Sequence, residues 1–99
     1  MSRTLSDRAR FAALVEMGCI LCDLLGFGKT PPQIHHIRSG QGMAFRAPHQ
    51  QTIPLCPEHH QGGTGVHGMG VRAWERHHGY REVELLDLVN ERLQEGGAC

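Results

Sequence analysis

Ile34-His35-His36-Ile37 and, twenty residues after His36, Cys56-Pro57-Glu58-His59-His60 decide how this chain is built. The first is a histidine pair inside a short apolar run. The second is a cysteine and two histidines on a run that opens with proline. Beyond it a glycine-rich turn, Gly62-Gly63-Thr64-Gly65, leads to His67, and upstream stands Cys19-Ile20-Leu21-Cys22. Cysteine and histidine are favoured zinc ligands. Eight His and four Cys in 99 residues are therefore the compositional signal of the chain.

Cys19-x2-Cys22 with Cys56-x2-His59 has the spacing of a structural zinc site, two close pairs supplying four ligands for a tetrahedron. Zinc bound there would contribute directly to folding. The plainer alternative is a redox pair or buried thiols, but a thioredoxin-type pair needs a βαβ context that is missing here. His35, His36, His60 and His67 remain. Neighbours on a strand point to opposite faces, so His35 and His36 cannot both serve one ion. One ligates while the other faces a different partner, such as a water. Three neutral imidazoles on an ion leave positions for water and a phosphate oxygen, the layout of a catalytic site. The fourth imidazole, close by, suits a general base. A single histidine is ordinarily a surface or packing residue; four around a cysteine knuckle argue for chemistry. His77 and His78 read as surface or phosphate-contacting, with His78 a candidate for packing.

The rest of the chain reads as support. Thr4 to Met17 is predicted helical, capped by Ser6 or Thr4, with an apolar face of Leu5, Ala9, Ala12, Leu14 and Val15. Gly18 stops it, and a tight turn at Cys19–Cys22 aims two thiolates at one point. Residues 23–32 read as irregular, with Gly26, Gly28, Pro31 and Pro32 as breakers. Strands are expected at Ile34–Ile37 and Thr52–Leu55, joined by a loop carrying Arg38, Arg46 and His49. Pro57 opens a short helix, Gly62–Gly65 interrupts it, and helix resumes near Gly70 through Trp74 to Gly79. A last helix, Glu82 to Gln94, spaces Leu85, Leu86, Leu88, Val89 and Leu93 on one face. Core duty falls on that helix, the first helix, Phe11 and Trp74. The length limits the chain to one domain, with residues 18–80 as its centre and helices 4–17 and 82–94 at the flanks. A structural metal offsets the modest core of so short a chain.

Formal charge is zero, but its distribution is not uniform. From Phe27 to Arg81 six bases face two acids, whereas from Glu82 onward five acids face Arg92 alone. The middle can meet phosphate and the end cannot. Nine of the ten bases are Arg, which suits forked phosphate contacts. A solvated mixed-charge surface is the alternative. The chain shows no secretory signal and no apolar run of membrane-spanning length. A reducing cytoplasm is thus the expected setting, where the cysteine spacing favours metal over disulfide. Cys99 is left over as a free thiol.

The combination of Cys-x2-Cys, His-His-Ile and a Pro-Leu-Cys strand end running into a His-bearing helix resembles the HNH, or ββα-metal (His-Me finger), endonuclease superfamily. More narrowly, Cys-Ile-Leu-Cys, Ile-His-His-Ile-Arg, Ile-Pro-Leu-Cys-Pro-Glu-His-His and Gly-Val-His-Gly-Met-Gly resemble the phage Ref (recombination enhancement function) group, whose phage member is a nuclease that works with RecA. The likeness covers Gly18 to Tyr80. It implies a small α+β, ββα-metal domain with a zinc knuckle and flanking helices. It implies structural zinc at Cys19, Cys22, Cys56 and His59. It also implies a catalytic divalent ion, Mg2+, Mn2+ or Zn2+, at His35, His60 and His67, with His36 as general base. The middle Asn of the HNH name has no counterpart here; Gln51 or His49 is placed to supply its hydrogen bond. Glycines lengthen the His60–His67 gap beyond one helical turn. The expected activity is hydrolysis of DNA phosphodiester bonds in the cytoplasm of a bacterial host, and the partner that the resemblance implies is a RecA filament. Arg38, Arg46, Arg72 and Arg76 would hold phosphates. The rival expectation is a non-catalytic zinc module that binds DNA or protein and needs only the cysteine site.

Overall fold

The computed structural model describes residues 6–37 and 51–97. Helix α1 spans Asp7–Met17 and is capped by Ser6, whose Oγ accepts from the Ala9 N–H at 3.1 Å. Gly18 ends it at a φ of +81°, a region L-residues avoid. The expected tight turn at the first cysteine pair is instead the start of a helix, α2, Ile20–Leu24. The Cys19 Sγ caps it by accepting from the Cys22 N–H at 3.3 Å. Asp23 and Leu24, predicted irregular, thus belong to a turn of helix whose cap, Cys19, is a ligand candidate.

Strands β1, Gln33–His36, and β2, Thr52–Leu55, pair antiparallel, with His35 opposite Ile53 and His36 opposite Thr52. The first strand lies one residue earlier than its apolar run suggests. Ile37 still extends the pairing, donating to the Gln51 carbonyl at 3.0 Å. The loop bearing Arg38, Arg46 and His49 lies outside the described residues. Every residue of β2 is buried, because α1, α2, α3 and α6 all pack on it. Helix α3 is Pro57–His60, α4 Val66–Met69, α5 Val71–His78 and α6 Glu82–Gly97. Helix α4 was not expected. Gly70, at a φ of +87°, ends α4 and caps α5, which runs where the sequence expects helix to resume.

The buried core joins Leu14 of α1, Ile20 and Leu21 of α2, Ile37, Ile53 and Leu55 of the hairpin, Trp74, and Leu85 and Val89 of α6. Phe11 packs against it half-buried. The apolar face read for α1 is corrected. Ala9, Ala12 and Val15 are exposed, and Arg10 is buried beside Leu14. Its guanidinium donates to Thr52 Oγ1 at 2.9 Å, to the Thr52 carbonyl at 2.7 Å and to Asn90 Oδ1 at 2.8 Å. A cation is tolerated there because its polar hydrogens find acceptors on β2 and α6. Among the described residues no helix is long and apolar enough to cross a membrane.

Candidate metal centre and its cleft

Helix α2 carries Cys22, with Cys19 at its cap, and α3 carries His59, with Cys56 at its cap. The two caps face each other across the end of β2. Cys22 Sγ lies 3.6 Å from Cys56 Sγ, and His59 Nδ1 lies 3.7, 3.5 and 3.4 Å from the sulfurs of Cys19, Cys22 and Cys56. A tetrahedral zinc with Zn–S of about 2.3 Å and Zn–N of about 2.05 Å requires S–S near 3.8 Å and S–N near 3.6 Å. The four groups therefore fit such an ion, and this Cys3His cluster can hold a structural metal. The three sulfurs belong to free, buried cysteines. Burial pushes the Cys22 thiol up to about 12, and a bound dication would reverse that by favouring the thiolate. Backbone bonds wrap the knuckle: Cys19 N–H donates to the Thr30 carbonyl at 3.0 Å and Phe27 N–H to the Cys22 carbonyl at 2.8 Å. His78 packs beside it, its ring 5.1 Å from His59 and 5.6 Å from Trp74.

The second cluster lies where the next residue of α3 meets the hairpin. His35, His60 and His67 present ring nitrogens that lie within 4.8 Å of one another. Alternation on β1 puts Gln33 and His35 on the face that meets α3. The side-chain carbonyl of Gln33 accepts from His60 Nδ1 at 2.8 Å. A neutral imidazole that donates at Nδ1 carries its lone pair at Nε2, and that atom lies 3.1 Å from His67 Nε2. Such a separation suits two adjacent ligands on one ion with metal–nitrogen distances near 2.1 Å. Burial, together with the neighbouring His35 and His67, lowers the His60 pKa to about 4, so the ring stays neutral at physiological pH. His35 and His60 are buried and His67 is exposed, which leaves one side of the cluster open to solvent.

The long gap between His60 and His67 is closed by crowding. Gly62 N–H donates to the carbonyls of Pro57 and Glu58, each at 3.0 Å, and Gly65 N–H to the Gly62 carbonyl at 2.9 Å. Glu58 Oε2 accepts from Thr64 N–H at 2.9 Å and Oγ1–H at 2.7 Å, and these bonds lower its pKa. His78 Nε2 donates to the Thr64 carbonyl at 2.9 Å. A Cβ on Gly65 would lie 2.6 Å from the Glu58 carbonyl oxygen, and one on Gly68 only 2.3 Å from the Gly62 carbonyl oxygen. Only glycine lets the turn fold back far enough to deliver His67.

A cleft of about 550 Å3 opens over the trio and is also lined by His36, Arg72 and Glu82. His36 meets Phe11 edge-on at 6.4 Å and borders the same cleft. Arg76, exposed one turn beyond Arg72 on α5, is not among the lining residues. Gln51 is half-buried next to Thr52, the register partner of His36; His49, Arg38 and Arg46 fall outside the described residues. The sequence gives no hint of Glu82, which is 1% exposed and whose Oε2 lies 2.6 Å from His35 Nε2. Gln33 was likewise missed. An acid at a helix start is ordinary, and neither residue carries a local mark of its distant partner.

A protein family described as recombination enhancement, RecA-dependent nuclease matches residues 3–94. The chain belongs to that family. The match takes in every residue of both clusters, and its description ties the family to nuclease action in RecA-dependent recombination. No curated protein and no solved structure matches the chain.

Proposed function

We propose that this protein is a metal-dependent endonuclease of the HNH kind that hydrolyses DNA phosphodiester bonds in concert with a RecA filament. The observation that supports this best is the convergence of His35, His60 and His67 beneath a cleft that His36 and Arg72 also border. The cysteine cluster takes the structural role, with zinc as the ion its donor set favours. His35, His60 and His67 would hold a divalent ion, Mg2+, Mn2+ or Zn2+, which would supply Lewis-acid stabilisation of charge on the scissile phosphate. The protein's own groups do the rest. His36 accepts the proton of the water that attacks phosphorus, while the bond to the 3′ oxygen breaks. Arg72 holds a phosphate at the rim by a charge-assisted bond, with Arg76, Arg38 and Arg46 along the neighbouring backbone. Gln51 or His49 orients His36. So small a cleft reads little sequence, and site choice falls to the RecA filament or to DNA structure.

The test incubates plasmid and single-stranded DNA with Mg2+ or Mn2+, with and without a RecA filament, and compares wild type with His36→Ala. Loss of a general base lowers the rate on the order of 10²–10⁴-fold, while zinc content and the circular dichroism spectrum stay unchanged. A wild type that binds DNA without cutting it leaves a zinc-stapled DNA- or protein-binding module, whereas a His36→Ala protein that cleaves as well as wild type removes His36 from the general-base role.

A further inference from the structure

The trio's least accessible member is His35, and the group that touches it comes from 47 residues away. Glu82 opens α6, and its carboxylate oxygen lies 2.6 Å from His35 Nε2, both side chains being almost fully buried. Two further features hold it there. Its backbone N–H donates to Glu75 Oε2 at 2.8 Å, tying the middle of α5 to the start of α6. Its position in the first turn of a 16-residue helix favours negative charge. With Glu82 ionised, as its place at the helix N-terminus favours, the carboxylate only accepts, and the short contact then needs a proton on His35 Nε2. The lone pair of a neutral His35 is then at Nδ1.

We infer that Glu82 is a positioning residue for the metal trio: it fixes His35 as the Nε2–H tautomer and locks its ring, so that Nδ1 is the atom offered to a divalent ion. The inference rests on the metal-site reading proposed above. Glu82 does for His35 what Gln33 does for His60, but with a charged acceptor that also raises the basicity of the ligand. The C-terminal helix, acidic and unsuited to DNA, thereby has a task at the site through its first residue.

The experiment uses protein with the cysteine site filled by zinc. Long-range 1H–15N spectra of the histidine rings, recorded without added Mn2+, give the His35 tautomer. Calorimetric titration with Mn2+ gives the affinity of the trio. Wild type should show a single Nε2–H tautomer for His35. Glu82→Gln keeps an acceptor, so the tautomer should persist with Mn2+ affinity within about tenfold of wild type. Glu82→Ala should give mixed tautomers and weaken Mn2+ by about 10–100-fold. Glu82→Gln is isosteric and keeps the test open should Glu82→Ala fail to fold. An Nδ1–H tautomer in wild type or in Glu82→Gln overturns the inference, as does an unchanged tautomer with full affinity in Glu82→Ala. Loss of Mn2+ binding in Glu82→Gln with the Nε2–H tautomer intact also overturns it, since Glu82 would then be a ligand itself. Wild type that binds no Mn2+ at the trio sinks the metal-site reading beneath it, whereas the metal-free tautomer spectrum still decides the Glu82–His35 contact.

Discussion

Arg10 and Gly65 show how single residues hold this site without taking part in it. The Arg10 guanidinium, its pKa lowered by burial, joins α1 to β2 and α6 through Thr52 and Asn90. Arg10→Ala leaves those buried acceptors without their donor, and a loss of about 2–4 kcal/mol is expected in urea denaturation. An unchanged midpoint would mean that water replaces the guanidinium without cost. Gly65 is different. Its φ of −96° suits any residue, so the constraint is space, the 2.6 Å from a Cβ to the Glu58 carbonyl oxygen. Gly65→Ala should therefore displace His67 and weaken Mn2+ binding at the trio, with zinc content intact. Equal Mn2+ titrations of variant and wild type would show that the turn yields.

At the scale of elements, α3 organises both centres. His59 and His60 are consecutive, yet one ring joins the cysteines and the other joins His35 and His67. Successive helical residues differ by about 100° in direction, and one turn of helix thus serves two centres on adjacent faces. Cys56 at its cap and Cys22 on α2 make the helix depend on the knuckle. Cys22→Ala should abolish stoichiometric zinc binding and loosen α3, so that Mn2+ affinity at the trio falls as well. Elemental analysis combined with calorimetry checks this, and a Cys22→Ala protein with wild-type Mn2+ affinity would separate the two centres. Helix α5 adds Arg72 at the rim. In fluorescence titrations Arg72→Ala should weaken DNA binding evenly across sequences and reduce the salt slope by about one. A sequence-dependent loss would instead place Arg72 at the base edges.

For the whole molecule, the two-stranded hairpin is too small to stand alone, and the core of Leu14, Ile53, Leu55, Trp74, Leu85 and Val89 is modest. A metal that binds only the folded chain adds its binding free energy to stability. Removing zinc with a strong chelator should lower the midpoint of thermal unfolding and make it depend on zinc concentration. A midpoint indifferent to zinc would mean that the apolar core suffices. The ion pair of Arg92 with Asp23, 2.7 Å long and half-exposed, joins α6 to α2 but contributes about 0–1 kcal/mol at most.

The ligand candidates were legible in the sequence because they are carried by short spacings: Cys-x2-Cys, Cys-x2-His and a histidine pair on an apolar strand. The hairpin, α1 from its Ser6 cap, and α6 from its leucines were legible for the same reason, since caps and periodicity act within a turn or two. What the sequence left open was long-range. The burial of Arg10, the α4 turn that brings His67 back and the seating of Glu82 against His35 each depend on a partner many residues away. No local pattern marks such partners, because their free energy arises only when packing removes both groups from water. The chain alone decided which atoms can bind metal; the tertiary structure decided which of them meet, and which carboxylate stands behind them.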